Sequence, residues 1–212
     1  MDEGGIKVGR LLGFPVQIHP SALILGFILM MPYVRAGQGT IALYLVAAIA
    51  LSILLHELGH ALVIRALGWE SVIVLHGFGG VTLSRSRPSP GQQIGVSLAG
   101  PAVNFALLAG AFVGLLFFST GAVAQFLDIL FMVNLFLGVF NVLPIVPLDG
   151  GQAFRSVLRI FTPRRADVAA AWVSMALTVP ILAWAASQRS LFMGLIALFL
   201  VFTNWKTATG QE

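Results

Sequence analysis

The sequence contains no cysteine, and only 9% of its 212 residues are charged. The lack of cysteine excludes a disulfide framework, and any zinc site must use nitrogen and oxygen ligands. A soluble domain carries about 25% charged residues. The shortage of charge here, together with 58% hydrophobic residues, indicates an integral membrane protein. The formal net charge of +4 is small enough to be explained by membrane topology, so no nucleic-acid partner is predicted.

Long apolar runs divide the sequence, and most of them approach the roughly 20 residues that a membrane-spanning helix needs. These runs cover Ile18–Val34, Ile41–Leu67, Gln92–Phe118, Val123–Leu148, Ala166–Ala186 and Leu191–Trp205. The pattern predicts an all-α polytopic membrane protein with about six transmembrane helices. No soluble segment interrupts it, so residues 1–212 are predicted to form a single membrane-embedded domain.

The basic residues are distributed unevenly between the two predicted sides of the membrane. If the amino terminus is cytoplasmic, only Arg35 and Arg189 lie outside. The cytoplasmic side then holds Lys7, Arg10, Arg65, Arg85, Arg87, Arg155, Arg159, Arg164, Arg165 and Lys206. Because cytoplasmic loops are enriched in lysine and arginine, both termini are predicted to be cytoplasmic. A prokaryotic plasma membrane is the expected location.

Residues 71–84 read SVIVLHGFGGVTLS and lie between the second and third apolar runs. Two β-branched stretches around glycines predict a β-hairpin. Because the segment is too apolar for a cytoplasmic loop, we expect it to be partly re-entrant beside a functional site, with a simple interfacial turn as the alternative. Its predicted turn and flanking positions are Val74, Gly77, Phe78, Gly79, Gly80 and Val81. For His76, a hydrogen-bonded loop histidine is favoured over an extra metal ligand.

The pentapeptide HELGH lies within the second apolar run. Residues four apart share one helix face, so His56 and His60 can bind one metal ion. Glu57 is placed to act on a metal-bound water. In a soluble protein this spacing is often two solvated histidines, but ionisable residues inside a membrane helix usually mark a functional site.

The fourth run ends in NVLPIVPLDGG, residues 141–151, where prolines interrupt helical hydrogen bonding. Asp149 is predicted to point inward at the depth of the histidines, toward the cytoplasmic side. Two imidazoles and one carboxylate, with a fourth position left to water, are typical of catalytic zinc. The alternative for Asp149 is the N-cap of a helix starting near Gln152.

Three motifs in consistent order resemble the site-2 protease family of intramembrane zinc metalloproteases. They are HELGH, AGPAVN (residues 99–104) and NVLPIVPLDGG, and the resemblance covers about residues 5–160, with two further helices over 166–205. It implies one zinc ion held by His56, His60 and Asp149, with Glu57 as general base and acid. Asn141 and Asn104 are implied to line the cleft. A PDZ insertion and a CBS domain, present in many members, are not seen here.

Peptide hydrolysis by such a site also needs an oxyanion donor and an extended substrate. Asn141 is the first candidate for the donor and Asn104 the second, with a structural role as an equal alternative for Asn104. An unwound segment can pair with the edge of the Val72–Leu83 hairpin. The predicted partner is therefore a single-span membrane protein within the lipid bilayer, and the sequence assigns no oligomeric state. The competing functions are an ion or metal transporter and an inactive zinc-binding scaffold.

Overall fold

The computed structural model describes residues 5–77, 79–85, 87–188 and 190–210. Within these residues it contains four strands and seven α-helices. In chain order they are β1 (Ile6–Leu11), β2 (Phe14–Ile18), α1 (Pro20–Arg35), α2 (Gly39–Ala66), β3 (Ser71–His76), β4 (Gly79–Ser84), α3 (Pro90–Phe117), α4 (Gly121–Val142), α5 (Asp149–Phe161), α6 (Ala166–Ser187) and α7 (Leu191–Thr209). The predicted helical fold is confirmed in its main part, but the expected all-α class is corrected by a four-stranded sheet, of which only the β3–β4 hairpin was predicted.

Four helices, α2, α3, α4 and α6, are long and apolar enough to cross a membrane. Helix α1 and residues 193–209 of α7 are apolar but shorter. Large apolar side chains on the spanning helices are exposed, among them Phe112, Met132 and Phe136. Such surfaces suit contact with lipid, since soluble monomers rarely expose large apolar patches. The six-span count stays a prediction.

Helix α4 stops at Val142, before the fourth apolar run ends at Leu148, so the predicted interruption of the helix in residues 141–151 is confirmed. Pro144 and Pro147 cannot supply the amide hydrogens that a continuing helix needs. The chain then turns back so tightly that a Cβ on Gly150 would collide with the Val142 carbonyl group. Glycine is required at this close approach because it lacks that atom.

Helix α5 begins at Asp149, with Leu148 at its N-cap. The alternative of Asp149 as the N-cap of a helix starting near Gln152 is therefore wrong. The carboxylate lies instead in the first turn, where negative charge is favourable next to the unpaired amide hydrogens of a helix start.

The sheet has the strand order β1-β2-β3-β4. The predicted hairpin is confirmed: β3 and β4 are antiparallel, and Val74 pairs with Val81. Strand β2 pairs with β3 in parallel and with β1 in antiparallel orientation. Since β3 has neighbours on both sides, only β4 offers a free edge of the predicted hairpin. Phe78 lies outside the described residues, and partial re-entry of the hairpin into the membrane stays a prediction.

The chain divides into two compact units. The first unit contains residues 1–87 and 99–138, and the second contains residues 88–98 and 139–212. In the first unit, the sheet packs on the later part of α2 through Phe14, Val16 and Ile73 against Leu58 and Ala61. In the second unit, α5, α6 and α7 follow the proline segment. The single membrane-embedded domain stays a prediction.

Candidate active site

The HELGH side chains form a buried polar group within membrane-length helix α2. His56, Glu57 and His60 are 7%, 4% and 7% exposed. One ligand atom from each lies within 4.8 Å of the other two. The predicted sharing of one helix face by the two histidines is thus realised, with the carboxylate beside them.

The two histidine rings direct their Nε2 atoms toward each other. His56 Nε2 and His60 Nε2 are 3.1 Å apart. In a tetrahedral zinc site, two nitrogens that each lie about 2.05 Å from the ion are about 3.3 Å apart. The spacing of this pair therefore fits a shared zinc ion with little movement.

Gly100 in α3 provides the space in front of these nitrogens. A Cβ at this position would lie 2.5 Å from His56 Nε2 and closer still to His60 Nε2. Helices α2 and α3 come very close at Gly59, because a Cβ on this residue would lie 2.8 Å from the Ala99 carbonyl oxygen. Gly59 of HELGH thus allows the two helices to approach, and Gly100 of AGPAVN leaves room next to the histidine pair.

Strand β4 lies against Glu57. A Cβ on Gly80 would overlap the Glu57 side chain. Thr82, two residues further along the strand, donates its hydroxyl hydrogen to Glu57 Oε2 at 2.7 Å, and its Oγ1 is also 3.0 Å from the Glu57 carbonyl oxygen. Thr82 was not among the predicted site residues. Strand alternation could have indicated it, because residues 80 and 82 lie on the same face of a strand.

Asn104 in α3 contacts the other ring nitrogen of His56. Its Oδ1 lies 2.5 Å from His56 Nδ1, and its Nδ2 donates to Asn134 Oδ1 at 2.9 Å. Asn134 Nδ2 in turn donates to Ser52 Oγ and to the Leu130 carbonyl oxygen. Asn134 and Ser52 were not among the predicted site residues, since neither lies in a recognisable motif.

The remaining predicted site residues are distributed between the two units. Asn141 and Asp149 belong to the second unit, and their assignment to the oxyanion and the metal stays a prediction. Within the hairpin, Val74 is buried and Val81 is exposed. The Gly77 amide donates to Ser21 Oγ at 3.0 Å, which joins the hairpin to the start of α1.

This chain is similar to known proteins that are named zinc metalloproteases. The model of "Peptidase family M50" matches residues 119–185. A zinc metalloprotease of Methanocaldococcus jannaschii is 27% identical over 209 residues, which cover 93% of this chain and 58% of that protein. A candidate zinc metalloprotease of Synechocystis sp. is 37% identical over 170 residues, covering 74% of this chain. This chain spans only 45% of the length of the Synechocystis protein.

A shorter relative matches over most of its length. This candidate zinc metalloprotease of Methanocaldococcus jannaschii is 30% identical over 163 residues, which cover 66% of this chain and 82% of the relative. The fold is similar to that of a solved structure, "Site-2 Protease from Methanocaldococcus jannaschii", with a TM-score of 0.69 and 24% identity over 96% of this chain and 95% of the other. The chain therefore belongs to peptidase family M50, the site-2 protease family of zinc metalloproteases.

Proposed function

We propose that this protein is an intramembrane protease that hydrolyses peptide bonds in or near the transmembrane segments of other membrane proteins. The observation that carries the proposal is the convergence of His56 Nε2 and His60 Nε2 on the space left by Gly100. The buried Glu57 carboxylate lies beside this pair, inside a helix of membrane-spanning length.

In the proposed mechanism one zinc ion would be held by His56, His60 and Asp149. When bound, zinc supplies a water nucleophile whose pKa is lowered to about 7 and polarises the scissile carbonyl group. Glu57 accepts the proton of the attacking water and returns it to the leaving amine nitrogen. The Thr82 hydrogen bond engages Oε2 and restrains the Glu57 carboxylate. Oε1, which lies next to Gly80, is assigned to this proton transfer.

Asn141 and Asn104 have different roles in this proposal. Asn104 is completely buried, with its amide oxygen on His56 and its amide nitrogen on Asn134. A donor that is already engaged is poorly suited to bind a developing oxyanion, so we assign Asn104 to orienting His56. Asn141 is then the proposed oxyanion donor.

The proposed substrate is a single-span membrane protein that unwinds and adds to β4 as an extended strand. Backbone pairing provides affinity that tolerates different side chains. Because β4 carries Thr82, which contacts Glu57, a substrate paired with this strand is delivered beside the general base. Cleavage is proposed to occur toward the cytoplasmic side.

The proposed topology has six spans, with α1 and α7 completing the bundle, a partly re-entrant hairpin and both termini in the cytoplasm of a prokaryotic cell. The charge distribution supports this orientation, since Arg35 and Arg189 are the only basic residues assigned outside. Helix α5 lies on the predicted cytoplasmic side, where Arg159 Nη2 forms an ion pair of 2.9 Å with Asp167.

The proposal is tested by incubating the purified protein with a panel of single-span substrates in liposomes and mapping the products by mass spectrometry. We expect zinc-dependent cuts within or next to the spanning segment. Bound zinc with no cleavage of any substrate would favour an inactive scaffold. Zinc flux across the liposome membrane, measured in the same preparation with a fluorescent indicator, would favour a transporter.

A further inference from the structure

We propose that Asn134 is a positioning residue that sets the tautomer of His56 through Asn104. This inference rests on the proposed function, because its benefit is a His56 Nε2 lone pair directed at the metal. Asn134 belongs to α4, whereas His56 belongs to α2 and Asn104 to α3. The proposed relay therefore joins three helices of the first unit.

The relay begins at a group whose hydrogen-bonding role is fixed. The Leu130 carbonyl oxygen can only accept, so the atom of Asn134 that lies 2.8 Å from it must be the amide nitrogen. The other terminal atom of Asn134 is then the oxygen, and it accepts from Asn104 Nδ2 at 2.9 Å. Neither amide can be reversed without placing two acceptors or two donors against each other.

The orientation of Asn104 then determines which ring nitrogen of His56 carries the hydrogen. Because its nitrogen faces Asn134, Asn104 presents Oδ1 to His56 Nδ1. This oxygen accepts only, so Nδ1 must carry the hydrogen. In a neutral imidazole the other nitrogen then carries no hydrogen and presents a lone pair. The Leu130 carbonyl oxygen thus dictates, through two amides, that His56 Nε2 is the ligating atom.

Burial makes the arrangement unambiguous. Asn104, Asn134 and Ser52 are each 0% exposed. Water therefore does not compete for the hydrogen bonds of the relay. A buried amide group that rotated by half a turn would lose these bonds, which is strongly unfavourable in free energy. Ser52 accepts the second hydrogen of Asn134 Nδ2 at 2.9 Å, which satisfies the last donor of that side chain.

The test measures the protonation of ring nitrogens in the metal-free protein by ¹⁵N nuclear magnetic resonance after histidine labelling. The chain has only 4 histidines, so the His56 signals can be assigned with a His56→Gln variant. We expect a hydrogen on Nδ1 and none on Nε2 in the wild type. Asn134→Leu, which nearly conserves volume, and Asn134→Ser, which is too short to reach Asn104, should both give a mixture of tautomers.

Two comparisons separate positioning from general damage. Thr178→Val removes a buried hydroxyl of the second unit, which donates to the Ser174 carbonyl oxygen, and should leave the His56 signals unchanged. Asn104→Asp presents a carboxylate that only accepts, so His56 should keep its Nδ1 hydrogen in this background even when Asn134→Leu is added. Zinc affinity should fall about tenfold in Asn134→Leu alone, the lower end of the range for lost outer partners of a metal-ligating histidine.

Wild-type tautomers in every Asn134 variant that folds would overturn the inference, as would a wild-type His56 that carries its hydrogen on Nε2. Folding is followed by circular dichroism, and one folded variant of the two is sufficient. The proposed function fails separately: if the wild type binds no zinc, the tautomer measurement still decides whether the relay operates.

Discussion

Thr82 Oγ1 lies 2.7 Å from Glu57 Oε2, so a residue of the hairpin holds the proposed general base of helix α2. The hairpin is therefore tied to the chemistry as well as to substrate delivery. A hydrogen bond to a buried charged group contributes about 1.5–3 kcal/mol, enough to restrict a carboxylate to one orientation.

Thr82→Val removes this hydrogen bond and keeps the side-chain shape. We expect kcat to fall on the order of tenfold, because the loss of orientation raises the activation free energy by about 1.4 kcal/mol. Zinc content should stay unchanged. Thr82→Ser retains the hydroxyl and should keep most of the activity. Wild-type kcat in Thr82→Val would show that the hydrogen bond does not orient Glu57.

Glu57→Gln should retain zinc and lose cleavage by about 10²–10⁴-fold, because the amide cannot accept a proton from water. The side-chain volume is conserved, so both histidines should stay in place. Activity is measured with a cleaved single-span substrate, and zinc with inductively coupled plasma mass spectrometry. Normal turnover with full zinc would remove Glu57 from the mechanism.

Gly100→Ala should abolish zinc binding, since the added Cβ occupies the space where the two Nε2 atoms converge. We expect the zinc affinity to drop by more than about 100-fold, beyond the usual effect of losing an outer partner. Gly110→Ala is the matched control: it lies in the same helix, and its Cβ would meet no atom within 4 Å. The control should bind zinc normally and gain up to about 1 kcal/mol of stability from helix propensity. Zinc binding by Gly100→Ala at wild-type affinity would place the metal elsewhere.

The segment that leads to Asp149 is held by α6 and α7, two helices in which the sequence predicted no site residue. The Val146 amide donates to Ser174 Oγ at 2.9 Å, and the Val146 carbonyl oxygen accepts from Asn204 Nδ2 at 2.6 Å. Asn204→Leu leaves that carbonyl oxygen without this donor, and the free energy of unfolding should fall by about 1–3 kcal/mol.

If Asp149 is the third ligand, Asn204→Leu should also weaken zinc binding, because the loop before the ligand is no longer fixed. Thr203→Val is the control, since its hydroxyl donates within its own helix, to the Phe199 carbonyl oxygen. Competition with a fluorescent chelator measures the affinity. Lower stability at unchanged zinc affinity would show that the contacts to Val146 do not support the metal site. Full zinc occupancy in Asp149→Ala would remove Asp149 as a ligand.

The sequence predicted the parts of the site that follow from local rules. The i, i+4 spacing of His56 and His60 fixes their common helix face, and glycines between β-branched residues indicate the β3–β4 hairpin. The contacts of Thr82 and Asn134 depend on how separate elements pack, and no local pattern encodes them. Strands β1 and β2 were missed because their short segments precede the first apolar run and pair partly through a parallel ladder with distant β3.

Substrate pairing with the hairpin is expected at β4 alone, since β3 already pairs with β2 and β4. Proline at Val81, Thr82 or Leu83 removes one backbone donor each. Successive donors of a strand point to opposite sides, so one class of substitution disrupts the pairing with β3 and the other faces the substrate. We therefore expect losses of two kinds along β4: loss of folding at donors bonded to β3, and loss of cleavage alone at outward donors.

The test compares cleavage, zinc content and thermal unfolding for proline at Val81 and Leu83, whose amides share one side of β4, with proline at Ser84, whose amide lies on the other side. Proline at Val72 and Val74 in β3 is measured beside them. Thr82 is left out because its hydroxyl contacts Glu57. The β3 variants should unfold at lower temperature wherever the proline falls on a bonded donor, because that strand has partners on both sides. A β4 variant with normal unfolding and zinc but a raised KM would support strand addition. Normal cleavage by every folded β4 variant, together with intact zinc, would exclude pairing at this edge and require a different route for the substrate.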